Sequence, residues 1–462
     1  MIRIFNHYIS ITYVFLLLIE CIIFFNAMYW GNKIRFLASE TWYTKYDILQ
    51  ASGIFALALT FSCFLVGLYR RTLTWDDYNL IKRMLSGFIL AFLVITQIYY
   101  FLPETLIARS VLVYAFSIAF LAMVGSRFLF YKFVNLDNLK RRVLVVGTGN
   151  KAQAITTIND SFIHKDFKII GCLELAGQQI LVDKGSVIQS TKKLPEICEE
   201  LKIDEIVIAL DDKRQNMPVD ELLDCKMSGI KILDTIAFYE REKGIIALNE
   251  LYPSWLVYSS GFEQSNFKSI GKRAFDVLAS LVLLAVAWPF MLITAIAIFV
   301  ESGLKGPVIY RQKRVGENDK TFEVLKFRSM RLNAEKGAPQ WAAQNDRRVT
   351  RVGGVIRKYR IDELPQIFNV LKGEMSFVGP RPERPEFVQG FEKTIPYYSE
   401  RHRVRPGITG WAQLCYPYGA NEHDALQKLQ YDLYYVKNYS LFLDLFIMFH
   451  TVEVILWGKG AR

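Results

Sequence analysis

The chain has 462 residues, 52% of them hydrophobic, which allows two or three domains and exceeds the apolar content a soluble enzyme needs. Its net charge of +11 is uneven: residues 301 to 440 hold 24 Lys and Arg against 16 Asp and Glu, whereas residues 136 to 250 hold 16 against 19. Such a field suits an anionic membrane surface or a phosphorylated substrate, and without any RNA- or DNA-binding signature it sets nucleic acid aside.

The apolar residues come in blocks. Stretches near 8–30, 48–69, 84–102 and 110–131 approach the ~20 residues that cross a bilayer, predicting four transmembrane helices. Glu20 interrupts the first, and a snorkelling or helix-packed side chain accounts for it. Arg70, Arg71, Lys82 and Arg83 follow the second span, and Lys132, Lys140, Arg141 and Arg142 follow the fourth. The positive-inside rule makes both segments cytoplasmic and leaves residue 132 onward inside the cell. The first block leads into further spans and reads as no cleavable signal peptide. Six cysteines with no C-x-x-C spacing argue against disulfides and structural zinc.

From Arg141 the pattern alternates. Buried strands are expected at Arg141 to Val146, Phe167 to Leu173, Glu205 to Leu210 and Ile230 to Leu233, separated by helical stretches, as in a parallel Rossmann-like sheet. Gly147, Gly149 and Ala152 fit G-x-G-x-x-A, and Glu174 stands where a ribose-binding acid would. The module is small for a complete dinucleotide fold and reads as a scaffold or regulatory site, with no cofactor-binding residues assigned. Tyr239 and Lys243 show a Tyr-x-x-x-Lys spacing that chance supplies often.

Ala274 to Val300 is long enough to span. However, Lys272 and Arg273 precede it, Lys305, Arg311, Lys313 and Arg314 follow it, and Pro289 stands in the middle. Cationic flanks on both ends and a helix breaker between predict a re-entrant helix-break-helix with both ends cytoplasmic. Leu441 to Trp457 contains Asp444, His450 and Glu453 and reads as an interfacial or packing helix.

Asp362 and Glu363 lie side by side, with Arg357, Lys358 and Arg360 before them and Leu364-Pro365-Gln366 after. Ile367, Phe368, Val370 and Leu371 recur with helical spacing and Gly373 is a stop, which puts Asp362 at or near a helix N-terminus. Two carboxylates among cations suit chemistry on a phosphate; an N-cap and a first-turn acid would also explain them. His402 and His423 have no visible partner and read as exposed.

Five ordered blocks carry a resemblance: Lys326 to Met330, Asn345 to Gly353, Arg360 to Gln366, Met375 to Glu383 and Arg405 to Gln413. Together they closely resemble the bacterial sugar transferase family, the monotopic polyprenyl-phosphate sugar-1-phosphate transferases that initiate exopolysaccharide, capsule or O-antigen synthesis. The resemblance implies Asp362 as a nucleophile forming a covalent phospho-sugar intermediate and Glu363 as ligand to Mg²⁺. Arg381, stiffened by Pro380 and Pro382, with Lys326 and Arg328, would bind the donor phosphates. Pro406-Gly407 and Thr409-Gly410-Trp411 either shape the donor pocket or are structural. Where the family has glycine after Val315-Gly316, this chain has Glu317-Asn318-Asp319-Lys320. Asp346-Arg347-Arg348 stands for Asp-Pro-Arg, and Trp288-Pro289 for the Ser-Pro break.

The expected architecture is a membrane α-helical bundle of four transmembrane helices (1–135), a Rossmann-like α/β module (136–250) and a mainly α-helical monotopic catalytic domain (251–462) with a re-entrant membrane helix at 273–300. The expected function is transfer of a sugar-1-phosphate from a UDP-sugar to undecaprenyl or another polyprenyl phosphate, releasing UMP, in a multi-pass protein of the bacterial inner membrane with its catalytic domain cytoplasmic. A homodimer is implied by the resemblance. The competing readings are a membrane-tethered NAD-dependent nucleotide-sugar dehydratase or oxidoreductase, and a non-enzymatic assembly scaffold.

Overall fold

The computed structural model describes residues 2–4, 7–9, 11–36, 45–69, 78–103, 107–133, 140–161, 167–175, 178–212, 217–262, 266–304, 306–331, 348–416, 419 and 421–457. Arg70, Arg71, Lys305 and the Asn345 to Arg347 part of the second block lie outside them. Contacts divide the chain into two compact units between Phe238 and Tyr239.

In the first unit, helices Ile11–Arg35, Lys45–Leu65, Tyr78–Phe101 and Arg109–Phe133 are each long and apolar enough to cross a membrane. Their shared core holds Phe24, Phe55, Leu59, Phe88 and Met123, while Phe15, Leu57, Ile89 and Leu121 face outward, the distribution expected when lipid is the solvent. Gly31 lets the first and fourth helices meet: a Cβ there would lie 2.9 Å from the Ala115 nitrogen. Glu20 is packed. Arg127 donates to both of its carboxylate oxygens at 2.7 and 3.1 Å and to the Leu68 carbonyl at 3.1 Å, with neither side chain exposed. Each charge would be prohibitive there alone, so the pair fixes the first helix against the fourth.

The same unit contains a five-stranded parallel sheet in the order Val187–Ile188, Phe167–Leu173, Arg141–Val146, Glu205–Ile208, Lys231–Asp234. This is the Rossmann order, with its switch point beside Arg141–Val146. The edge strand Val187–Ile188 is too short to carry a pattern in sequence. Leu144, Val146, Ile206 and Leu210 form the buried middle.

The second unit starts where Glu240 accepts from Lys437 Nζ (2.7 Å) and Asn438 Nδ2 (3.0 Å), which fastens residues just after the sheet to the C-terminal body. The three-domain division at residues 135 and 250 is retained as a proposal.

Helix Asn266–Glu301 contains Pro289 and is assigned as one helix, not a helix-break-helix. A single missing N–H removes one bond of the ladder without ending it. Both ends of this helix are held by the same body. At the start, Lys272 Nζ donates to Asp444 (2.6 Å) and the Val378 carbonyl (3.1 Å), Arg273 reaches the Val370 and Leu371 carbonyls, and Asp276 accepts from Ser376 Oγ (2.9 Å) and Phe377 N (3.0 Å). At the end, Glu301 caps helix Arg351–Lys358 by accepting from Arg351 N (2.7 Å), and Ile298 packs with Phe327 and Ile356. Both ends thus touch the same body, and on that ground the return of this helix to the side it enters from is kept as a proposal. Leu281, Trp288 and Ile293 between the ends are exposed, apolar surface suited to lipid.

Strands Ile309–Val315 and Thr321–Phe327 pair antiparallel. Their turn places Asn318 (φ 53°) and Asp319 (φ 61°) in the left-handed region, which Asn and Asp tolerate better than other non-glycine residues. Helix Leu441–Leu456 packs through Asp444, which is buried and paired with Lys272.

Candidate functional site

The acidic pair sits at a corner. Helix Arg351–Lys358 ends, Arg360 turns the chain with a left-handed backbone (φ 59°, ψ 19°), and Ile361–Glu363 forms a single 3-10 turn. Helix Gln366–Lys372 begins only after Pro365 and is stopped by Gly373 at φ 87°. Asp362 therefore precedes that helix instead of lying in its first turn, because the Arg360 corner starts a separate turn. Non-glycine residues hold such a conformation at a cost of about 1 kcal/mol, and it recurs at functional sites.

The two carboxylates differ sharply. Glu363 is 12% exposed and lies 2.8 Å from Arg381, 3.4 Å from Lys326 and 3.8 Å from Arg360. Burial would raise its pKa, but Arg381, Lys326 and Arg360 hold it well below the usual carboxylate range. The carboxylate of Asp362 takes part in no hydrogen bond or ion pair among the described residues. Burial and the adjacent Glu363 charge push it up to about 6, against the pull of Lys326, Arg357 and Arg360. The result is one carboxylate clamped by cations beside another left unengaged.

The expected phosphate ligands converge in part. Lys326 ends the hairpin strand Thr321–Phe327, and Asn369 anchors that strand by accepting from Leu325 N (3.0 Å) and donating to Glu323 O (2.7 Å). Burial pulls the Lys326 ammonium below its ordinary range while Glu363 opposes it. Arg328 is only 9% exposed, and its Nη1 has no partner among the described residues, a buried donor suited to an incoming anion.

Arg381 is positioned by a layer that sequence reading missed. Strands Ser376–Val378 and Gly407–Thr409 pair in parallel, and a Cβ on Gly379 would lie 2.3 Å from the Arg405 carbonyl. The Pro406-Gly407 loop is thus the bed on which Gly379-Pro380-Arg381 lies. Arg401 Nη2 donates to the Arg381 carbonyl (2.9 Å), Nη1 donates to Tyr398 Oη (2.7 Å), and its guanidinium pairs with buried Asp432 (2.8 Å). Only the tertiary structure brings these together, although Arg360 was adjacent in sequence. Trp411 is structural, donating to the Gly244 carbonyl at 2.8 Å. Arg401→Lys preserves the charge facing Asp432 but loses the planar fork. It should lower kcat/KM for the donor about tenfold, through looser placement of Arg381, and also lower the melting temperature, because the Tyr398 hydroxyl and the Arg381 carbonyl lose a buried partner.

His402 is buried, contrary to the exposed reading, because the Tyr398–Arg403 turn folds it inward; its Nδ1 lies 2.6 Å from Asp319 Oδ1. Asp319, Glu392 and His402 form a group whose ligand atoms all lie within 4.8 Å of one another and could hold a metal ion. Glu363 is not part of it. His423 is exposed. The Tyr239–Lys243 spacing forms a cation–π contact at 5.8 Å.

A carboxylate pair ringed by cations, on a body gripping both ends of a membrane helix, has the layout of a membrane phosphoryl-transfer centre. Residues 267–458 match the family described as bacterial sugar transferase, and residues 65–226 one described as a CoA-binding domain. The exopolysaccharide production protein PSS of Rhizobium leguminosarum bv. phaseoli is 42% identical over 196 residues, 41% of this chain and 97% of that protein. The chain belongs to the bacterial sugar transferase family. It is also similar to the UDP-N-acetylgalactosamine-undecaprenyl-phosphate N-acetylgalactosaminephosphotransferase of Aeromonas hydrophila, 45% identical over 52% of this chain and 55% of that protein. The undecaprenyl-phosphate glucose phosphotransferase of Komagataeibacter xylinus is 32% identical over 70% of this chain and 60% of that protein. The chain spans little more than half the length of these last two relatives.

Proposed function

We propose that this protein transfers a sugar-1-phosphate from a UDP-sugar to undecaprenyl phosphate or a similar polyprenyl phosphate, releasing UMP, as the first step of exopolysaccharide, capsule or O-antigen synthesis. The observation that carries the reading is the asymmetry of the pair: Glu363 is held by Arg381, Lys326 and Arg360, whereas Asp362 has no hydrogen bond or ion pair among the described residues.

In the proposed sequence, an Asp362 oxygen attacks the sugar-bearing phosphorus, and the bond to UMP breaks with its electron pair leaving on UMP. A mixed anhydride of Asp362 and the sugar phosphate results. A phosphate oxygen of the lipid then attacks the same phosphorus, the bond to Asp362 breaks, and the carboxylate returns. Splitting the displacement avoids bringing two bulky anions together at once. Arg381, Lys326 and Arg328 orient the diphosphate and offset its charge.

The chemistry of one carboxylate supports Mg²⁺ at Glu363, apart from the Asp319, Glu392 and His402 group. Glu363 offers hard carboxylate oxygens, and its Oε2 is only loosely engaged, at 3.8 Å from Arg360. Glu363 would hold the ion, which when bound supplies further neutralisation of the diphosphate. A homodimer remains a proposal from the resemblance.

The relatives' names point to N-acetylgalactosamine or glucose donors. A panel of UDP-glucose, UDP-galactose and their N-acetylated forms, incubated with undecaprenyl phosphate and the membrane-embedded protein, should yield UMP with at least one of them. No UMP from any would remove the proposal.

A further inference from the structure

The middle module has the strand order, the glycine-rich turn and the acid of a dinucleotide-binding half, and it overlaps the match to a CoA-binding domain. A diphosphate bound there would need free backbone N–H groups at the turn and at the start of helix Asn150–Ser161.

Four of those groups, the N–H of Gly147, Thr148, Asn150 and Lys151, are already taken. Asp211, just beyond strand Glu205–Ile208 at the switch point, reaches across to the helix. Its Oδ2 accepts from Asn150 N (2.9 Å) and Asn150 Nδ2 (3.3 Å), and its Oδ1 from Lys151 N (3.0 Å). A Cβ on Gly149 would lie 2.2 Å from Asp211 Oδ2, so the carboxylate fills the very space that glycine leaves for a phosphate. Thr148 N donates to Gln178 Oε1 (3.2 Å) and Gly147 N to the Leu173 carbonyl (3.0 Å). Glu174 accepts from Gln189 Nε2 at 2.7 Å. A diphosphate would have to expel a carboxylate of its own charge sign and replace its bonds. The residues present do not fit CoA or a dinucleotide.

We infer that the turn is an anion cradle liganded by the chain itself: Asp211 stands in the phosphate position, and the module binds no CoA or dinucleotide through it. The carboxylate instead joins helix Asn150–Ser161 to the end of strand Glu205–Ile208, making the module a closed scaffold.

Hydrogen exchange of the full chain in lipid nanodiscs, followed on the peptide covering Gly147 to Lys151, tests this separately from transferase activity. Millimolar CoA or NAD should leave that peptide unchanged; added protection from either would overturn the inference. In Asp211→Ala the same peptide should exchange at least about tenfold faster, since its acceptors are gone. Unchanged exchange in a folded variant would equally overturn it, and the native-protein arm stands alone should the variant fail to fold.

Discussion

Asp362→Asn is expected to lower UMP release at least about 10³-fold, because an amide cannot serve as the nucleophile and the neighbouring groups cannot replace it. Stability should hardly change. Among the described residues the Asp362 carboxylate engages no cation directly, so its loss strands none of them, and burial beside Glu363 already works against its ionised form. Kinetics combined with thermal melting checks both halves. Under the oxidoreductase or scaffold readings, the substitution would leave UMP release little altered.

Glu363→Gln is expected to act on both properties. Its carboxylate is the shared counter-charge of Arg381, Lys326 and Arg360, and neutralising it leaves three cations facing one another around a largely buried position. Activity should fall about 10²-fold, as for removal of a preorganised electrostatic group. Stability should fall by about 1–3 kcal/mol, less than for a fully buried pair because Arg360 and Arg381 are partly exposed to solvent. Asp362→Asn should thus be inactive and stable, Glu363→Gln impaired and less stable. Equal melting of the two variants would contradict the asymmetry on which the proposed mechanism rests.

What could be read in the sequence was whatever local chemistry decides. The four spans follow from runs of apolar residues, and the strands at Arg141–Val146 and Phe167–Leu173 from buried runs bounded by turn signals. Gly373 ends its helix in the left-handed conformation that favours glycine. Hairpin Ile309–Val315 with Thr321–Phe327 was not read, because Arg311, Lys313 and Arg314 give its first strand the look of a cationic flank to the membrane helix. Asp362 lies near a helix N-terminus, as the spacing predicts, but the separate 3-10 turn that holds it could not be read, since nothing local announces a left-handed Arg360.

Partnerships across long sequence separations were out of reach altogether. Arg127 is 107 residues from Glu20, Asp211 is 61 from Asn150, and Asp444 is 172 from Lys272. Each is a buried or specific polar pairing that only the folded chain creates. The G-x-G-x-x-A turn shows the consequence: its glycines serve close approach, but what approaches Gly149 is a carboxylate from the same chain.

The central claim is that sugar phosphate resides on Asp362 between donor and lipid. The most direct measurement is a rapid acid quench of the protein with UDP-sugar and no acceptor, scoring released UMP and the mass of the peptide containing Asp362. A burst of one UMP per active chain, with a sugar-phosphate adduct on that peptide, is the predicted result. UMP release that appears only once polyprenyl phosphate is added, with no adduct at any time, would contradict it.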